Sequence, residues 1–166
     1  MKATLIAASA LLTAAGCANY QFGTTLSKAD RAVHVPSVRC DELAEPGLDA
    51  LATSVILREV QREGTLVLTD ADRATTRLDI SIVRFRMEPI RYQRDDTRTP
   101  GEYRVTLTAD VDFTRLSDSK AIYRGAVEGE TTLAAVSDLG SAKTASLPAA
   151  CEDLARKILE RCTSAW

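Results

Sequence analysis

Two groups of residues in this chain have the chemistry to act on something outside it. The first is the thiol of Cys17, which closes a short apolar segment running from the initiator Met through Leu12 to Ala14-Ala15-Gly16. Lys2, an apolar core from Ala3 to Leu12 and small residues before a cysteine form the pattern of a bacterial lipoprotein signal, in which the thiol takes a thioether-linked diacylglycerol and the new amino terminus an acyl chain such as palmitate. The apolar run is about half of what a hydrocarbon core roughly 30 Å thick demands of a spanning helix, so the segment reads as exported and cleaved. The second group is a set of guanidinium groups, Arg91, Arg94 and Arg98, in the loop Glu88–Gly101, with Arg84, Arg86 and Arg104 on the flanking strands. Guanidinium forks pair bidentately with phosphate or carboxylate, so this loop reads as a site for a phosphorylated glycolipid head or an acidic protein wall. The alternative is a solvated hairpin tip whose charges balance Asp95 and Asp96.

Other reactive chemistry is missing from the inventory. His34 is the single histidine, and no Ser, Cys or carboxylate pattern supplies a nucleophile with an orienting third group, so the chain is not expected to be an enzyme and no catalytic residue is assigned. Metal ligands at recognisable spacing and a cofactor motif are likewise absent, the covalent lipid on Cys17 apart. Asp110 and Asp112 share one strand parity and read as a solvated face. A net charge of -2 and 5% aromatic residues exclude the basic stripe and stacking aromatics of a nucleic-acid binder.

Export puts the domain in an oxidising compartment, where Cys40, Cys151 and Cys162 remain once Cys17 carries lipid. Cys151 and Cys162 on one helix would stand about 16 Å apart at about 1.5 Å per residue, beyond the roughly 7 Å limit between Cα atoms of a disulfide. A disulfide therefore requires Cys40 with Cys151 or Cys162, and the alternative is buried thiols packing as small hydrophobes.

The elements that must position these groups follow from periodicity. Residues 1–16 form the signal, 17–31 a lipidated tether and 32–166 one domain. Ala32–Val38 alternates and is β-branched, with Pro36 pointing to an edge or an end. Leu48, Leu51, Ala52, Val55, Ile56 and Val60 recur at threes and fours, predicting a helix from Pro46 to Glu63 stopped by Gly64. Leu66–Leu68 is a short strand. Leu78, Ile80 and Ile82 keep one parity before Val83, Phe85 and Met87 take the other, predicting a β-bulge near Ile82-Val83. Val105 to Phe113 alternates without a break, and Ala121–Leu133 turns Tyr123, Val127 and Leu133 inward with Gly125 and Gly129. A closing helix is expected to start at Ser146 as N-cap with Pro148 in its first turn. The whole is an α+β two-layer sandwich, two helices on one face of a mostly antiparallel four- to five-stranded sheet.

In this order and spacing, Cys17-Ala18-Asn19-Tyr20-Gln21-Phe22-Gly23, the Val33-His34-Val35-Pro36 strand, the helix ending Glu63-Gly64, Gly101-Glu102-Tyr103-Arg104-Val105 and Asp153–Leu159 resemble the lipopolysaccharide-assembly lipoprotein family, LptE. The resemblance implies a plug on the periplasmic side of the outer membrane, within the lumen of the barrel LptD, that helps the barrel fold and takes part in inserting lipopolysaccharide. Carried over by position, it implies lipopolysaccharide contacts at Arg94 or Arg98 and at Lys143, in a loop before the last helix. The rival class is a pilotin-like chaperone or periplasmic scaffold for another outer-membrane complex, which needs the lipid and the fold but no basic loop.

Overall fold

The computed structural model describes residues 26–40, 45–93, 98–135 and 138–164. Cys17 and Arg94, with their neighbours Asp95 and Asp96, lie outside these residues. A 3-10 turn, Lys28–Asp30, precedes β1 (Ala32–His34) and β2 (Arg39–Cys40). Helix α1 (Leu48–Glu63), β3 (Val67–Leu68), β4 (Thr76–Tyr92), β5 (Pro100–Arg115), β6 (Ala121–Ala134) and helix α2 (Leu139–Thr163) follow. The sheet runs β3-β1-β4-β5-β6, with β2 also on β4. β4, β5 and β6 are antiparallel, whereas β1 and β2 join β4 in parallel.

Pro36 divides what alternation alone suggests is one strand. β1 ends at His34 and the chain resumes its pairing at β2, so the missing Pro36 N–H interrupts no ladder. β1 is also internal, between β3 and β4, and not an edge.

Both helices lie over the sheet face formed by Leu78, Ile80, Ile82, Val105, Leu107, Ala109, Val111 and Phe113. α1 buries Leu48, Ala52, Val55, Ile56 and Val60, and Gly64 ends it in the left-handed conformation at φ 76°, its amide donating to the Val60 carbonyl. The layers meet closely at Gly129 of β6, where an added Cβ would lie 2.4 Å from Leu154 Cβ of α2. Only a residue without a side chain lets this strand and helix approach so far.

The start of α2 differs from the sequence expectation. Its N-cap is Asp138, whose Oδ1 accepts from the Ser141 amide at 3.2 Å, and Pro148 lies inside the helix. Pro148 leaves the Thr144 carbonyl without its usual partner, an interior cost of about 3 kcal/mol. Leu147, Ala150 and Cys151, all buried, hold the helix on the core on both sides of Pro148 and offset that cost. Ser146 is buried and donates its hydroxyl to the Lys143 carbonyl at 2.6 Å, so it serves inside the helix and caps nothing.

No disulfide joins cysteines among the described residues. Burial pushes the Cys151 thiol up to about 12, with Cys40 and Glu152 adding to it, and burial alone raises Cys162 to about 12.

Candidate functional site

β4 and β5, 17 and 16 residues long, form a hairpin about 50 Å from base to tip at about 3.3 Å per residue. The base half lies under the helices. Toward the tip the inward-facing residues lose cover, Phe85 and Met87 being partly buried and Tyr92 exposed. The register slips between Ile82 and Arg84, so Val83 is the extra residue and turns outward, while Ile82 and Phe85 both stay on the helix side. This is the bulge that the parity change predicts. Beyond it Arg84 and Arg86 face outward with Arg104, Thr106 and Thr108 of β5.

Ion pairing on this outer face loosens from base to tip. At the base Arg77 holds Asp79 through two bonds, at 2.7 and 3.0 Å, and Arg124 meets Asp112 at 2.6 Å. The Asp112 carboxyl is held below the usual range by the Thr114 hydroxyl first and by Arg124 next, against the upward push of burial. Toward the tip the separations are 3.5 Å for Arg86–Glu88, 3.5 Å for Arg91–Glu102 and 3.7 Å for Arg104–Glu130. Arg84 makes no ion pair among the described residues. The Arg91 side chain is 77% exposed.

The Gln93 amide donates to the Thr99 carbonyl at 3.0 Å and closes the neck of the loop. Arg98 thus sits within a few residues of Arg91 at the end of the hairpin. Lys143 is elsewhere. It is on the second turn of α2 and not in a loop; it is ion-paired with Glu45, and its Nζ lies 4.7 Å from the Phe85 ring centre. Phe85 is six residues below Arg91, or about 20 Å along the strand. The structure therefore spreads Arg84, Arg86, Arg104 and Arg91 along the outer face from the middle of the hairpin toward its tip, with Arg98 at the loop, and leaves Lys143 on the helix side. Arg84, Arg86 and Arg104 are the flanking cations, and the signal that turns Arg84 and Arg86 outward is their position after the parity change.

Asp110 and Asp112 share the outer face, beside a shallow depression of about 300 Å³ lined by Arg39, Asp79, Ser81 and Arg124 among others. Among the described residues no group of His, Cys, Asp and Glu side chains could hold a metal ion. No described helix is long and apolar enough to cross a membrane.

The model of the lipopolysaccharide-assembly family, LptE, matches residues 31–162, from the residue before β1 to the last turn of α2. The chain belongs to the LptE family. No curated protein gives a match. Among solved structures, a hypothetical protein from Chlamydia trachomatis shares the fold at TM-score 0.58 and 13% identity, over 81% of this chain and 96% of that one. A putative lipoprotein from Caulobacter crescentus does so at 0.53 and 12%, over 81% and 90%. Lipoprotein B from Nitrosomonas europaea matches at 0.51 and 9%, over 86% and 91%. At such identities the likeness is one of fold, and the LptE assignment, with its role in lipopolysaccharide assembly, rests on the family match.

Proposed function

We propose that this LptE protein is an outer-membrane lipoprotein, anchored through lipid on Cys17, that occupies the lumen of an LptD-type barrel and helps it fold. In this reading it presents Arg91, Arg94 and Arg98 to the phosphates of lipopolysaccharide, and its role is non-catalytic. The observation that carries the reading is the gradient of pairing along the outer sheet face. Charges at the base are tied to partners at 2.6 to 3.0 Å, whereas those nearer the tip stand 3.5 to 3.7 Å from theirs and exchange them at little cost. A polar, uncovered antiparallel face also suits contact with a hydrophilic lumen. Lys143 would have to leave Glu45 before reaching a phosphate, so it ranks behind the three arginines.

Two experiments test this. Tagged protein isolated from outer membranes in mild detergent should bring a barrel with it in stoichiometric amount; a secretin, or no barrel, would overturn the plug reading. Arg94→Glu combined with Arg98→Glu should leave the thermal midpoint unchanged and weaken lipopolysaccharide binding at least tenfold. Binding equal to the parent would remove the site assignment.

A further inference from the structure

The two edges of the sheet are not alike. One ends in the two-residue β3 and the other in the fourteen-residue β6, which among the described residues pairs only with β5. Along an antiparallel edge strand successive amides point alternately to the neighbour and away from it. The Ala135 amide donates to Gly101 of β5 at 3.0 Å, while the Glu130 amide turns away and donates to Asp153 Oδ2 of α2 at 2.9 Å. The register is unbroken from Tyr123 to Ala134, so the amides of Arg124, Ala126, Glu128, Thr132 and Ala134 point the same way as that of Glu130. All five residues are exposed, and no acceptor among the described residues meets these amides. Proteins ordinarily blunt such an edge along its length. Here α2 covers it at one residue, and Arg124, Glu128 and Glu130 place charge along the strand while leaving the other outward amides open.

What can sit on this edge is limited by α2. The helix lies directly over β6, with the Gly129 position against Leu154. Neighbouring strands stand about 4.8 Å apart but packed helices about 8–10 Å, so a second copy added edge to edge would drive its own α2 into this one. A strand with no helix above it meets no such clash. Between β6 and the last turns of α2 lies a groove of about 310 Å³ lined by Ala126, Val127, Glu128, Lys157, Glu160 and Arg161. Lys157 is held by Asp153 at 2.8 Å, but Arg161 makes no ion pair among the described residues.

We propose that the Arg124–Glu128 stretch of the β6 edge is an interaction surface for an extended segment of a partner polypeptide. The segment adds to the sheet as a strand and sets an acidic side chain against Arg161. This is recognition by main-chain hydrogen bonds with one charge for specificity, and it does not depend on lipopolysaccharide binding at the hairpin tip.

Amide hydrogen exchange of the full-length protein tests it, in native outer membranes against the purified chain in detergent. The amides of Ala126 and Glu128 should exchange at least tenfold more slowly in membranes, with Glu130 changing little because Asp153 already holds it. Ala126→Pro removes one outward N–H and no bond to β5, so its thermal midpoint should stay near the parent's while the slowing at Glu128 disappears; Ala126→Ser should keep it. Arg161→Glu should reduce the slowing. Equal rates in membranes and detergent overturn the proposal without any variant having to fold. Slowing that follows the concentration of the purified chain also overturns it, in favour of a second copy. Slowing without a copurifying barrel leaves the edge site standing and the plug reading refuted, whereas a barrel without slowing does the reverse.

Discussion

At the base of the β4–β5 hairpin Arg115 meets buried Asp30 through two bonds of 2.8 Å, whereas toward the tip Arg91 stands 3.5 Å from Glu102. Both are Arg–carboxylate pairs on one long hairpin. The base pair ties the 3-10 turn to the end of β5, and the Thr76 hydroxyl adds a 3.2 Å bond to the Asp30 carbonyl. Asp30 and Asp118 together hold the Arg115 guanidinium more firmly protonated than an ordinary arginine. At the tip Glu102 is partly covered but Arg91 is 77% exposed, so ordering that guanidinium brings little burial in return. Pairing distance and burial, more than residue type, separate charges that hold the fold from charges available to a ligand.

That contrast can be broken from the base outward. The largest effect is expected at the contact that seats α2 on the sheet: Gly129→Val puts a Cβ 2.4 Å from Leu154 Cβ and should cost at least about 3 kcal/mol in urea unfolding. Next comes Asp30→Asn, which leaves Arg115 facing a neutral amide; the thermal midpoint should fall, and by more than it does for Glu102→Gln at the tip. A double-mutant cycle on each pair would show whether the two ends differ as their distances do.

Acid pH sharpens the same contrast. The Asp112 and Asp153 carboxyls both sit below their ordinary range. For Asp153, burial pushes up, but Lys157, the Glu130 amide and Arg156 together outweigh it. A carboxyl with a depressed folded pKa adds stability that is present above its unfolded value, about 3.9, and is lost as pH falls through the lower folded value. Unfolding free energy should therefore drop below about pH 4, and Asp112→Asn should flatten part of that drop. The smallest effect on stability is expected at Arg84 and Arg91. Replacing both with Ala should leave the melting curve unchanged while weakening lipopolysaccharide binding.

Much of the base was legible in the sequence because its residues obey one local rule at a time. The run Leu78-Ile80-Ile82 followed by Phe85-Met87 revealed the bulge, and Gly64 marked the end of α1. The start of α2 was not legible, because Pro148 satisfies the first-turn rule and only the burial of Leu147 shows that the helix already runs through it. Lys143 was misplaced for the same reason, its neighbours Glu45 and Phe85 being 98 and 58 positions away in the chain. The β6 edge escaped altogether: alternation tells which way side chains face but not which strand stands last, and Asp153 reaches Glu130 across a gap that no local pattern spans.

Val83 carries no charge and packs against nothing in the core, yet it is the one surplus residue between the covered and uncovered parts of β4. Deleting it would leave Arg84 outward and Phe85 inward, since alternation would then run straight through. What would change is direction. A bulge adds local twist, and the arm beyond it, Arg84 to Tyr92, is about 30 Å long, so a change of about 15° at Val83 swings the arginine-bearing end by about 8 Å. In mechanical terms Val83 is the elbow of a lever, setting where a distant group of cations points while touching none of what they bind.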